Sequence, residues 1–247
     1  MKIVLFLSAG LTLAASGLID TMMDRALTVA RRNDACFALR GQSSPEVIGA
    51  MRRALNDAKL RACAGENLRQ ARAIGPLREA LRDEDAEVRA IALRELGAFE
   101  DPALLDTLAR MARDPQLLVA SNAIQALESY PFEQARPSLE QLAASGSLVG
   151  EMALDDLAQN RDPQAAPIAR RLLAGSDIGG MLAGMRILAR LGDESDLAAL
   201  RKIAEKDTEQ MSSKGRGFGL MPSISLSRAA LTAIAQIQLR ASVTPKQ

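Results

Sequence analysis

The chain has 247 residues, with 31 basic and 30 acidic side chains and 48% hydrophobic residues. That composition buries a core, and a net charge of +1 excludes the basic excess that bulk nucleic-acid or anionic-membrane binding demands. There is no histidine and there are only two cysteines, which excludes Ser-His-Asp and Cys-His nucleophile systems and the usual zinc and iron–sulfur sites.

The N-terminus carries Lys2, the uncharged apolar run Ile3–Ala15 and the small-residue site Ala14-Ala15-Ser16. This pattern predicts a signal peptide over 1–16, cleaved after Ser16, and a periplasmic or secreted protein. The alternative is an uncleaved anchor, because the uncharged stretch extends to Ile19, at the lower limit for spanning. No other run approaches that length, so no membrane span is expected after cleavage.

Apolar residues at Ile19, Met22, Met23, Ala26, Leu27 and Ala30 predict a helix over Leu18–Arg32, closed by Asn33-Asp34. Gly41–Ser44 reads as a turn, with Ser44 as N-cap and Pro45 opening the next helix, which Gly65 breaks. Residues 17–73 thus read as an N-terminal helical cap. In an exported chain Cys36 and Cys63 are expected to form a disulfide between two antiparallel helices, the alternative being two buried thiols.

From Gly75-Pro76 onward the sequence repeats. Leu96, Leu127, Leu157 and Leu188 recur at 31, 30 and 31 residues, as do Ala92, Ala123, Ala153 and Gly184. A second set is Leu77, Leu108, Leu139, Ala169 and Leu200. A fixed period of this size marks a stacked array of helix pairs. The helices are expected at Glu87–Phe99, Pro102–Arg113, Gln116–Ser129, Glu133–Ala144, Leu148–Gln159, Gln164–Ala174, Ile178–Leu191 and Ser195–Lys206. The array occupies 74–247, with an insertion at about 208–222 before a last helix over Ser223–Leu239.

The unit Leu81–Met111 resembles a HEAT repeat of the short bacterial, phycobilin-lyase type. It carries the family's core as Asp83, Val88, Arg89, Ala92, Leu96 and Gly97. The resemblance implies an all-α, right-handed α-solenoid of stacked antiparallel helix pairs whose second helices line the concave face. It also implies an interaction scaffold rather than a defined chemistry. The family's ladder of Asp–Arg ion pairs is expected to be missing here, because the Arg column continues as Ala120, Gly150 and Leu182.

Two surfaces stand out. Arg110, Gln141, Arg171 and Lys202 form a column on the second helices, flanked by Arg82 and Arg113. It reads as a mildly basic groove for an acidic peptide or protein, or as an ordinary solvated face. The insertion presents Lys214, Arg216, Phe218, Leu220 and Met221, either a partner-binding loop or a loop without a role. No carboxylate pair suggests acid–base work. The expected function is therefore a non-catalytic, exported scaffold that binds a protein or peptide without metal or cofactor. The alternatives are a lyase-like accessory subunit for an enzyme or cofactor-bearing protein, and a structural spacer.

Overall fold

The computed structural model describes residues 15–145, 147–213 and 225–243, with side chains of 206–213 left aside. All regular structure among them is helical. The chain divides into two compact units, Met1–Tyr130 and Pro131–Gln247.

In the first unit, α1 (residues 15–23) is followed by α2 (Val29–Ala38), α3 (Pro45–Ala54), α4 (Arg61–Gln70) and α5 (Ile74–Ala80). Then come α6 (Ala86–Gly97), a 3-10 turn (Pro102–Leu104), α7 (Leu105–Met111) and α8 (Leu117–Glu128). Two expectations fail here. The predicted helix over Leu18–Arg32 is two helices, because Asp24 accepts a hydrogen bond from the Ala26 amide and Thr28 caps α2. Asn33-Asp34 therefore lies inside α2, not at an end. Gly65 does not break its helix either. It sits within α4, where a Cβ would come within 2.5 Å of Ile91 Cγ2, so glycine admits α6 against α4. Ser44 caps α3 and Pro45 opens it, as their positions predict.

The second unit holds α9 (Phe132–Ala143), α10 (Leu148–Gln159), α11 (Ala165–Leu173) and α12 (Ile178–Leu191). A 3-10 turn (Glu194–Asp196) leads into α13 (Leu197–Ser213), and α14 (Leu226–Val243) follows. Helix α13 runs on into the first residues of the insertion. Lys214, Arg216, Phe218, Leu220 and Met221 lie outside the described residues.

The periodic leucines are the core. Leu96, Leu127, Leu157 and Leu188 are fully buried, and so are Leu77, Leu108, Leu139, Ala169 and Leu200. First and second helices alternate along each unit: α4, α6, α8, α10 and α12 are first helices, and α5, α7, α9, α11 and α13 second helices. Three first helices end on a residue in the left-handed region, Arg72 (φ 52°), Glu100 (φ 50°) and Arg161 (φ 54°). After two of them the chain closes with an amide–carbonyl bond spanning five residues, typical of helix C-termini, from Ala73 to Leu68 and from Asp162 to Leu157, each at 2.8 Å.

The ion-pair ladder expected to be missing is present, from other registers. Arg32 pairs with Asp57, Arg61 with Asp85 and Glu87, and Arg89 with Asp114 through two bonds of 3.1 Å. In the second unit Arg136 pairs with Asp162, and Arg170 with Asp193 and Asp196. The aspartates also receive the amides of the segments they begin: Asp57 from Lys59, Asp85 from Glu87, Asp114 from Gln116, Asp162 from Gln164 and Asp193 from Ser195. Arg32, Arg61 and Arg89 thus fix the start of the following first helix, and Arg136 and Arg170 the start of the following second helix. The sequence column through Arg89 misses this because the later arginines, Arg136 and Arg170, stand on second helices.

Cys36 on α2 and Cys63 on α4 form a disulfide with Cα atoms 6.4 Å apart. The buried Asn67 carboxamide donates to the carbonyls of both cysteines at 3.1 Å.

Candidate functional site

Three second helices, α7, α11 and α13, leave one residue of their apolar stripe half-buried. Ala112, Ala143, Leu173 and Ala204 are buried, whereas their neighbours Met111, Leu172 and Ile203 are only half-buried. A helix whose apolar arc is wider than its buried contact leaves such residues at the mouth of a groove.

Two grooves form there. In the first unit a groove of about 390 Å³ lies between α5 and α7, lined by Arg78, Leu81, Arg82, Thr107, Arg110 and Met111. In the second unit a groove of about 550 Å³ involves Arg170, Leu173 and Ala174 from α11 and its end, and Ala199, Lys202 and Ile203 from α13. Met181, Ser195 and Asp196 complete it. The two linings correspond residue by residue in repeat register: Arg78 to Arg170, Leu81 to Leu173, Arg82 to Ala174, Thr107 to Ala199, Arg110 to Lys202 and Met111 to Ile203. The groove therefore recurs at equivalent register positions in the two units.

Their electrostatics differ. Arg78 donates to the Ala103 carbonyl, and Arg110 to the Asp106 carbonyl and the Thr107 hydroxyl. Among the described residues no carboxylate lies within ion-pair distance of Arg78, Arg82 or Arg110. In the second groove the register-equivalent Arg170 is bound by Asp193 and Asp196, and its hydrogen bond to Asp196, foremost, raises its already high pKa. Lys202 stands at the rim as an exposed cation.

Of the expected basic residues, the structure brings Arg82 and Arg110 together and adds Arg78. Arg113 instead turns back to the Ala109 carbonyl, and Arg171 is exposed outside the second groove. Arg78 was missed because its register equivalents in the next two repeats, Ala109 and Glu140, carry no positive charge. The acidic residues of α10 are structural: Asp155 pairs with Arg186, and Glu151 and Asp156 are raised above the usual carboxylate range, chiefly by burial.

The family model for HEAT repeats matches residues 74–149, which include the whole α5/α7 groove. Residues 74–149 are HEAT repeats. The chain is also 29% identical over 223 residues to deoxyhypusine hydroxylase of Gallus gallus, covering 75% of this chain and 74% of the relative. Among solved structures it is similar to human deoxyhypusine hydroxylase in complex with glycerol, at 19% identity, a TM-score of 0.42, 93% of this chain and 99% of that one. It is also similar to the CpcE–CpcF complex of phycocyanin lyase from Nostoc sp., at 18% identity, a TM-score of 0.40, and 90% and 94% coverage. The likenesses to solved structures carry no weight for function. The curated relative does correct one expectation: a non-catalytic role is overturned by similarity to an enzyme. Composition missed this because HEAT repeats are a frame, and chemistry is grafted on a frame through a few side chains.

Proposed function

We propose that this chain is a HEAT-repeat scaffold that binds a protein partner through the grooves between its second helices. One observation carries the reading: the same six register positions line a groove in each unit. A groove that recurs in register offers an equivalent foothold in each unit. Replacing Thr107 and Ala199 singly by a photo-crosslinking residue tests it, with Asn122 and Arg186 on first helices as controls. The same protein captured at both groove positions and at neither control supports the reading. Equal capture at all four, or none, sinks it.

The N-terminal pattern from Lys2 to Ser16 supports export, and so does the Cys36–Cys63 bond, since disulfides persist in oxidising compartments. The protein recovered from the cell envelope is expected to begin at Gly17. Intact protein in the cytoplasm, still beginning at Met1, would count against export.

The similarity to deoxyhypusine hydroxylase favours a second reading, in which the array acts on a protein substrate as an enzyme or within one. Incubation of the purified chain with a deoxyhypusine-bearing protein under air, with a reductant, should then add one oxygen to the substrate by mass spectrometry. An unchanged substrate mass disposes of this reading.

A further inference from the structure

We infer that the α5/α7 groove takes an acidic peptide segment, its carboxylates on Arg78, Arg82 and Arg110 and an adjacent apolar side chain on Leu81 and Met111. The inference rests on the protein-binding reading and assigns the class of ligand to one of its two grooves.

The cations of this groove keep unused donors. A guanidinium carries five N–H donors in a planar fork matched to a carboxylate. Here Arg78 and Arg110 spend theirs on backbone carbonyls and one hydroxyl, and Arg82 makes no hydrogen bond among the described residues. All three are exposed and share one groove that no acidic side chain lines. Elsewhere in the same unit the arginines that join repeats are answered by carboxylates: Arg32, Arg61, Arg69 and Arg89 each have one.

The second groove serves as an internal control. It keeps the floor, with Leu173 and Ile203 where the first has Leu81 and Met111. Yet Ala174 replaces Arg82 in register, and Arg170 is neutralised by Asp193 and Asp196. The cations of the α5/α7 groove are therefore not needed to build a groove of this kind. Three like charges side by side repel one another, and a bound anion relieves that repulsion.

The floor selects the class of anion. Leu81 and the half-buried Met111 lie among the arginines, so an occupant that satisfies both needs carboxylates and an apolar group in one short stretch. A peptide of alternating acidic and apolar residues supplies them. A nucleic acid has no such alternation, and the chain's balanced charge provides no field to gather a polyanion.

The test uses the full chain and a fluorescein-labelled synthetic peptide of alternating Glu and Leu, followed by anisotropy at low salt. The Gln/Leu counterpart peptide should bind about tenfold more weakly, and the triple substitution Arg78→Gln, Arg82→Gln, Arg110→Gln should cost a similar factor. These side chains are exposed and unpaired with carboxylates, so circular dichroism should be unchanged. Lys202→Gln should leave binding unchanged, and added salt should weaken it. Equal binding of the two peptides, an unaffected triple variant, or equally effective competition by inorganic phosphate or an oligonucleotide overturns the inference. If crosslinking at Thr107 and Ala199 still captures one partner after such a result, the protein-binding reading stands and only the acidic class falls. If crosslinking also fails, both fall.

Discussion

Single side chains report the interior most directly. Tyr130 is the one tyrosine, and there is no tryptophan. Its ring is buried and its hydroxyl donates to the Asp101 carbonyl at 3.0 Å. Burial first, then the charges of Asp101 and Glu100, push its pKa up to about 12. Ultraviolet titration should show tyrosinate forming near that value in the native protein and near 10 in denaturant, as for a free phenol. A native midpoint near 10 would place the ring in water.

Two aspartates should respond to pH with opposite sign. Asp57 is held below the usual carboxylate range by the hydrogen bond from Arg32, then by the Lys59 amide. A depressed folded pKa adds stability above the unfolded pKa and loses it as pH falls through the folded one. Asp57→Asn should therefore lower the urea midpoint at neutral pH, with the deficit shrinking in acid. Asp156 is raised by burial, with a hydrogen bond donated by Asn160 working against it. Ionisation there costs more in the folded state, so Asp156→Asn should raise the midpoint at neutral pH and not in acid. A parallel pH dependence for the two variants would contradict these environments.

At the scale of elements, helix contacts are set by the smallest residues. A Cβ on Gly97 would meet Ala126 Cα and Cβ at 2.8 Å, and one on Gly184 would meet the Ala169 carbonyl at 2.7 Å. Gly97→Val should cost about 1–3 kcal/mol through overpacking of α6 against α8, read as a lower urea midpoint with an unchanged slope. An unchanged midpoint would show that α8 moves aside freely. Gly184 was legible in the sequence because it continues the column Ala92, Ala123, Ala153, and a stack demands small residues where helices cross closely. The buried leucines were legible for the same reason of period. The rungs that join repeats were not, because each pairs residues 23 to 26 apart, a distance no helical phase relates. Arg170 and Arg171 illustrate the limit: adjacent in sequence and equally charged, one is tied by aspartates beyond the next helix and the other is left exposed.

For the molecule as a whole, the disulfide is the strongest covalent constraint. Cys36 and Cys63 are separated by 27 residues, and closing such a loop removes about 3 kcal/mol of unfolded-chain entropy. Reduction, or Cys36→Ser with Cys63→Ser, should destabilise by about that amount. In repeat proteins such a loss stays near its source. Hydrogen exchange should therefore accelerate in α2 to α4 far more than in α10 to α12. A uniform acceleration would mean that the two units unfold together.

The last helix is fastened differently. Helix α14 is secured by Arg240, which reaches back to the carbonyls of Leu188, Ala189 and Gly192 at the end of α12, some 48 to 52 residues earlier in the chain. The rungs between repeats count residues: a deletion between Arg89 and Asp114 would pull the aspartate out of reach. Arg240 counts nothing, because its acceptors are already in place whatever length of chain intervenes. Among the described residues, α14 is thus held to the end of α12 by contacts that do not depend on the length of chain between α13 and α14.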